Sequence, residues 1–269
     1  MKFASVFPYF RHLAKRQQPL RYLWGDFMSR TGWASHTIFN AHTYQLYFFP
    51  SHLTLQHWLY PNERADDDQL IRNNLTKGGI YVDIGANIGT LSIAAAQTVG
   101  ENGTLISVEP NPRIYQYLTK NLMLNEITNC QTVQMAVGEV EGETYFSNDP
   151  RLDDVNHVVK NASNNVLTVK MTTLDALTAH LPRIDLLKID VEGYELFVLR
   201  GGKNALNKTQ TLFFESWETP FKANGYSCQD LFREIKQYGF KIRRRIDGQW
   251  VEIPEGHISE NVENLLATR

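Results

Sequence analysis

The chain has 269 residues, 42% of them hydrophobic and 21% charged, with a formal net charge of -2. That length suits one full α/β domain with additions, and the near-neutral balance gives no global attraction to nucleic acid or to an acidic partner. The two cysteines, Cys130 and Cys228, supply neither a disulfide framework nor a zinc-ligand spacing.

The N-terminal stretch is locally biased. Lys2, Arg11, Lys15, Arg16, Arg21 and Arg30 stand against one acid, Asp26, with aromatic side chains interleaved. This fits a helical cap that packs its aromatics on the main domain, and contact of residues 1–30 with an anionic membrane surface is the alternative. The start lacks a continuous apolar run and a small-residue cleavage site. No stretch approaches the roughly 18 apolar residues that span a bilayer. The expected location is the cytoplasm, where the sequons at Asn74, Asn102, Asn161 and Asn207 are chance matches.

Residues 1–37 read as helical and irregular. Residues 44–49 and 53–60 are rich in aromatics and strand formers, with Pro50-Ser51 between them, and read as a hairpin or two short strands. Asp66 to Asp68 start a helix whose body is 69–75. From Gly78 the rhythm changes. Strand Ile80–Ile84, helix Thr90–Val99, strand Thr104–Val108, helix Pro112–Leu124 and strand Gln131–Val137 alternate, which indicates a parallel sheet wrapped by helices.

Residues 143–171 interrupt that alternation. Strands Glu143–Phe146 and Val166–Met171 flank a polar loop, Ser147 to Asn165, that holds Asp153, Asp154, Asn156 and His157. A polar loop of that length inside a compact domain is functional or mobile. Helix Leu174–Leu181, strand Ile184–Ile189 and helix Tyr194–Leu199 follow, the last stopped by Gly201-Gly202. Then come strand Thr211–Glu215, an amphipathic helix over Ser227–Tyr238, and a hairpin of Phe240–Ile246 and Gln249–Ile253 about Asp247-Gly248. The expected division is a cap and hairpin over residues 1–65 and the α/β domain over 66–269.

The junction Asp83-Ile-Gly85-Ala-Asn87-Ile-Gly89 joins a strand to a helix. Gly85 and Gly89 permit a tight turn and close approach of a ligand, and free N–H groups at the helix start favour an anion. The spacing departs from the G-x-G-x-x-G of a dinucleotide turn: Asn87 and Thr90 hold its second and third glycine positions, and Gly89 falls one place early. Asp83, two places before the first glycine, repels a phosphate and suits an ammonium. The ligand end therefore carries both a carboxylate and an ammonium, as an amino acid does. Glu109, ending the second strand, is placed to take both hydroxyls of a ribose. Amino-acid end plus ribose describes S-adenosylmethionine. Ala136, ending the third strand, falls where an adenine lies in such a fold, though a packing alanine is an equal alternative.

In Lys188-Ile-Asp190-Val-Glu192-Gly193, alternation sets Lys188, Asp190 and Glu192 on one side at the carboxyl end of the fourth strand, where ligands of open α/β sheets sit. Glu215 and Glu218 end the next strand. These residues form a buried ion pair that holds the sheet, or Asp190 or Glu192 orients a substrate hydroxyl or takes its proton. His157 is a third candidate base, with a pKa suited to neutral pH. A divalent cation on Asp190, Glu192 and Glu215 is another route to an activated hydroxyl, but no clear ligand cluster is visible and no metal is expected.

The segments VDIGANIG (82–89), EPNP (109–112), Ala136-Val137-Gly138, TLDAL (173–177), LLKIDVEGYELFVLRGG (186–202) and FFES (213–216) resemble the FkbM family of methyltransferases over roughly residues 60–245. K-I-D-V-E-G-x-E is the most diagnostic string. The resemblance implies a class I methyltransferase, Rossmann-like α/β fold: a mostly parallel seven-stranded sheet with an antiparallel C-terminal hairpin, here with an N-terminal helical and β-hairpin extension. It implies S-adenosyl-L-methionine held by Asp83, Gly85, Asn87, Gly89, Glu109, Pro110, Asn111, Ala136 and Asp190. It also implies O-methylation of a hydroxyl on a sugar, glycolipid or natural product, and leaves the acceptor itself and the first 40 residues unassigned. Two rivals stand beside it. A nicotinamide-dependent dehydrogenase has the wrong glycine register. A non-catalytic module of the same fold does not need Asp83, Glu109 and Asp190 together.

Overall fold

The computed structural model describes residues 18–62, 64–149, 155–160 and 165–269. The expectations on Lys2, Arg11, Lys15, Arg16, Asp153 and Asp154 lie outside the described residues.

Eight strands form the central sheet. Five run parallel: β5 (Cys130–Val133), β4 (Thr104–Val108), β3 (Ile80–Ile84), β10 (Ile184–Ile189) and β11 (Thr209–Ser216), neighbours in that order. Antiparallel β14 (Glu263–Thr268), β12 (Lys241–Ile246) and β13 (Gln249–Glu252) complete it beyond β11. Every residue of Ile80–Ile84 is buried, as expected of an apolar strand covered on both faces. One face carries Leu196, Leu199, Leu231 and Ile235, and the other carries Leu70, Leu91, Ala95 and Val99. The expected C-terminal hairpin is present, and Asp247 and Gly248 both take positive φ, at 48° and 80°, as a two-residue primed turn requires.

The main sheet has eight strands where seven were expected, and several elements differ from expectation. Residues 131–137 are not one strand: Cys130–Val133 ends the main sheet, while β6 (Ala136–Gly138) pairs with β9 (Val166–Thr173) in a second sheet. That sheet has the order β6-β9-β7-β8, with β7 at Gly142–Ser147 and β8 at Val158–Val159, so the polar loop contains a short strand. Glu263–Thr268, read as no element in the sequence, is wedged between β11 and β12. Residues 53–60 are not a strand either. The hairpin partner of β2 (Tyr44–Tyr47) is β1 (Ile38–Ala41), and His52–Leu59 is a helix whose Ser51 cap accepts from the Thr54 N–H at 3.0 Å. Leu53 packs toward the glycine turn, and Leu55 and Leu59 pack toward Met28 and Phe48. A helix buried on several sides shows no single apolar stripe, and its Leu53-Leu55-His57-Leu59 spacing mimics strand alternation.

The N-terminal segment shares its core with the main domain. Ala41, Tyr44, Leu46, Phe49 and Leu53 pack with Ile88, Ile114, Tyr117 and Leu118, and Phe49 stacks on Tyr117 with centroids 4.1 Å apart. Asn121 and Asn125 lie one turn apart on helix Pro112–Leu124 and its cap and serve the open edge of β2. The Gln45 and Tyr47 N–H groups donate to Asn125 Oδ1 (3.0 Å) and Asn121 Oδ1 (3.1 Å). Asn125 Nδ2 donates back to the Gln45 carbonyl at 2.8 Å, while Asn121 Nδ2 donates to the Ile88 carbonyl at 2.9 Å. One buried amide thus ties the hairpin to the glycine turn. Asn121→Leu, which strips two buried groups of their partners, is expected to cost about 2–4 kcal/mol, measured as the shift in urea denaturation.

Candidate active site

The glycine turn lies between β3 and the helix Thr90–Val99. Gly85, Asn87 and Gly89 have φ of 80°, 48° and 92°, so three of five residues are left-handed and the chain reverses within one turn. A Cβ on Gly85 would lie 1.8 Å from the Asp190 carbonyl oxygen, so only glycine lets β3 and β10 meet there. The turn amides are already used. Gly85 and Ala86 N–H donate to the Val108 carbonyl, and Gly89 N–H donates to that of Ala86. Asn87 N–H donates to Glu109 Oε2, and Ile88 N–H to Asn87 Oδ1. The free anion-binding amides expected at this helix start are therefore absent from residues 85–89.

Beside the turn, at the carboxyl ends of the parallel strands, is a cavity of about 300 Å³. Six carboxyl groups line it, from Asp67, Asp83, Glu109, Asp190, Glu192 and Glu215, against two cations, Arg64 and Lys188. Met135, Ala136, Val137, Phe146 and Val158 form an apolar wall. This donor set fits a ligand with an ammonium and a sulfonium at one end, hydroxyls in the middle and an aromatic ring against the apolar wall. It does not fit a pyrophosphate, which these carboxylates would repel.

Lys188 organises the floor. Its buried Nζ lies 3.2 Å from Asp83 Oδ1 and 3.4 Å from Asp190 Oδ2, and donates to the Gly85 carbonyl at 3.0 Å. Asp83 Oδ2 accepts from Ser92 Oγ at 2.6 Å. The ion-pair reading and the site reading of these residues therefore coincide, because the pair that holds the sheet also lines the cavity.

Glu109 accepts from the Asn87 N–H at 3.1 Å and the Asn111 N–H at 2.9 Å. Burial outweighs those two bonds and pushes its pKa up to about 7. Glu215 is pushed up to about 9, first by burial and then by the charges of Asp190, Glu192 and Glu195. Both causes favour its protonated form.

The loop after β10 presents Glu192 at φ 55° and Gly193 at φ 97°. A non-glycine residue in that region is strained and must be held by its surroundings. Glu195 does the holding: its Oε1 accepts the Val191 N–H at 3.0 Å and the Gly193 N–H at 3.3 Å. Tyr226 Oη adds a bond to the Gly193 carbonyl at 3.0 Å. The last acid of K-I-D-V-E-G-x-E is thus a positioning residue for Asp190 and Glu192.

Of the expected site residues, Asp83, Gly85, Asn87, Glu109, Pro110, Ala136, Asp190, Glu192 and Glu215 line this cavity. Four do not. Gly89 faces the next helix, where a Cβ would meet Leu118 Cδ1 at 2.7 Å. Asn111 is buried as the cap of helix Pro112–Leu124, its Oδ1 accepting from Arg113 and Ile114. His157 is turned to its own chain, with Nδ1 3.0 Å from the Val155 carbonyl oxygen, and its neighbours Val155, Asn156 and Val158 line the cavity instead. Glu218 opens a helix, where its Oε2 accepts from the Cys228 N–H at 2.7 Å.

Carboxylate oxygens of Asp190, Glu192 and Glu215, the trio weighed from the sequence as a route for a divalent cation, lie within 4.8 Å of one another. They are the oxygen ligands a divalent cation would draw on. A proton kept on Glu215 accounts for the same closeness. Sequence reasoning missed Leu53, Gln56, Arg64, Asp67 and Tyr194 as cavity residues. Arg64 Nε lies 3.6 Å from Asp67 Oδ2, and the pair arrives from the N-terminal side through docking that no local motif announces.

The methyltransferase FkbM domain model matches residues 83–242. The chain is 25% identical over 162 residues to hexuronic acid methyltransferase AglP of Haloferax volcanii, covering 59% of this chain and 65% of that protein. The match therefore spans just under two thirds of that relative's length. It is 27% identical over 179 residues to methyltransferase sdnD of Sordaria araneosa, covering 54% of this chain and 69% of that one. An rRNA methylase structure from Streptococcus thermophilus superposes with a TM-score of 0.46 at 10% identity, covering 76% of this chain and 94% of that one.

Proposed function

The chain belongs to the FkbM family of methyltransferases and uses S-adenosylmethionine as methyl donor, and from that premise we propose that it methylates a hydroxyl oxygen of a sugar, glycolipid or natural-product acceptor. The observation that carries this reading is the joining of Asp190 and Glu192 to the cavity that holds Asp83 and Glu109. The hexuronic acid named for one relative supports a carbohydrate acceptor.

When bound, S-adenosylmethionine supplies an electrophilic methyl group on a sulfonium. In our reading the residues of this chain do the rest. Asp83 would hold the ammonium of the amino-acid end, with Gly85 and Asn87 lining its place, Glu109 and Pro110 would hold the ribose, and Ala136 would meet the edge of the adenine. Asp190 and Glu192 would orient the acceptor hydroxyl and take up the proton it loses. Holding the oxygen in line with the methyl is itself worth several kcal/mol of the barrier. Loop residues Val155, Asn156 and Val158 form the acceptor side of the pocket. The free thiols Cys130 and Cys228 agree with a reducing compartment, and we place the reaction in the cytoplasm. Among the described residues no helix is long and apolar enough to cross a membrane.

The test has two parts. Calorimetry with S-adenosylmethionine and its demethylated product should show binding of both, and no heat with either would refute the cofactor site. Cell extract incubated with the protein and isotope-labelled cofactor should then yield a labelled product stable to mild alkali. A label released as methanol would mean a carboxylate acceptor instead of a hydroxyl. Glu109→Ala should weaken cofactor binding at least about tenfold, the loss of roughly one charge-assisted hydrogen bond. The ionised carboxylate is the better partner for two hydroxyls. Affinity should therefore fall as pH drops from about 8 to 6, through the value of about 7 to which burial raises Glu109, and Glu109→Ala should abolish that dependence. Equal affinity of wild type and variant across this range would remove Glu109 from the ribose site.

A further inference from the structure

We infer that the outer face of the first described helix, Pro19–Thr31, docks on an anionic lipid bilayer surface. This does not depend on the acceptor proposed above.

The helix is inverted relative to an ordinary surface helix, whose outer face is polar. Its inner face is fully used: Met28 is buried with Leu55 and Leu59, and a Cβ on Gly25 would lie 2.6 Å from Leu55 Cδ1 and 2.8 Å from the Trp58 ring. The outer face carries Leu20, Trp24 and Phe27, which are 80%, 51% and 51% exposed. Their spacing sets them in one row along the helix. Trp33, 73% exposed, extends the patch. The patch is continuous, because Trp24 stacks on Phe27 at 5.7 Å and meets Trp33 edge-on at 6.2 Å. Contiguous exposed apolar surface of this kind marks a partner or a membrane.

Charge selects the partner. The other exposed residues of the helix are Arg21, Arg30 and Thr31, with no exposed acid. Arg21 stacks over Trp58 at 4.6 Å, and Arg30 lies 2.8 Å from the half-buried Asp26, at the two ends of the apolar row. Residues 1–17, which lead directly into this helix, contain Lys2, Arg11, Lys15 and Arg16 and no acid. Tryptophan and phenylalanine on one face with flanking cations match the headgroup boundary of a bilayer, and the cations add attraction to its anionic lipids. The next helix, His52–Leu59, packs behind this one and contributes Leu53 and Gln56 to the cavity. The docking face therefore lies one helix away from the active site.

Vesicle co-sedimentation of the full chain tests this. Wild type should partition at least about tenfold more onto phosphatidylcholine vesicles containing about 30 mol% phosphatidylglycerol than onto phosphatidylcholine alone. Tryptophan emission should shift to the blue, and salt should weaken the binding. Trp24→Gln/Phe27→Gln/Trp33→Gln should lose at least about tenfold of the partitioning while keeping its melting midpoint and its affinity for S-adenosylmethionine. If the triple variant fails to fold, Trp33→Gln alone, at an exposed position outside the helix, should still weaken partitioning. No partitioning of the wild type, or equal partitioning of the variants, overturns the inference. So does a wild-type dimer in light scattering that these substitutions convert to a monomer without any vesicle binding, since a second copy would then be the partner.

Discussion

Lys188→Met is expected to destabilise the apoprotein by about 3–5 kcal/mol, the cost of breaking a buried ion pair from one side. The ammonium is the cation between Asp83 and Asp190, at 3.2 Å and 3.4 Å, and its side chain is only 5% exposed. Its removal leaves Asp83, buried at 0%, without its ion-pair partner and beside a second carboxylate. Methionine fills the space, so the loss is electrostatic more than steric. A double variant distinguishes this from simple loss of packing. Adding Asp83→Asn removes the unpaired carboxylate and should recover part of the loss, read from urea denaturation. A deficit below about 1 kcal/mol, or one unchanged by Asp83→Asn, would mean that Lys188 is not the counter-charge of these acids.

Most of the parallel half of the sheet was legible because its strands are short apolar runs closed by turn residues and alternate with helices of amphipathic or apolar spacing. Ile80–Ile84, Thr90–Val99, Thr104–Val108 and Pro112–Leu124 match residue for residue. Elements whose identity depends on tertiary placement were less visible. His52–Leu59 is buried on several sides and imitates a strand. Glu263–Thr268 becomes a strand only because a slot exists between β11 and β12. Nothing local in 131–137 marks the step from one sheet to the other.

The site follows the same division. That Asp83, Glu109, Asp190 and Glu192 line one cavity was readable because strand ends in such a sheet point at one crevice. Arg64, Asp67, Leu53 and Gln56 reach it from a segment docked through side chains such as Asn121. His157 shows the opposite error. Residence in the right loop does not fix a side-chain direction, and here the flanking residues Val155, Asn156 and Val158 face the cavity.

Asp190→Asn is expected to lower kcat by about 10²–10⁴-fold, the usual contribution of a positioned base, with the dissociation constant for S-adenosylmethionine changed by less than about threefold. The amide keeps the size and the contact with Lys188 but cannot take a proton. The side chain is 25% exposed, so neutralising it disturbs the core little, and the Lys188–Asp83 pair stays in place. A second readout comes from Glu215, whose pKa is raised by burial and next by the charge of Asp190. With that charge gone, the Glu215 carboxyl should ionise at lower pH than in the wild type, a downward shift read from its carboxyl resonance in an NMR titration. Glu192→Gln is the matched control, because it also removes a charge near Glu215 while leaving Asp190 able to accept the proton. If Glu192→Gln suffers the larger loss of kcat, the proton goes to Glu192, and its left-handed backbone at φ 55° is the strain that aims it. If instead Asp190→Asn leaves kcat intact and cofactor affinity collapses, Asp190 belongs to the donor end of the cavity, and the chemistry is carried by Glu192 alone.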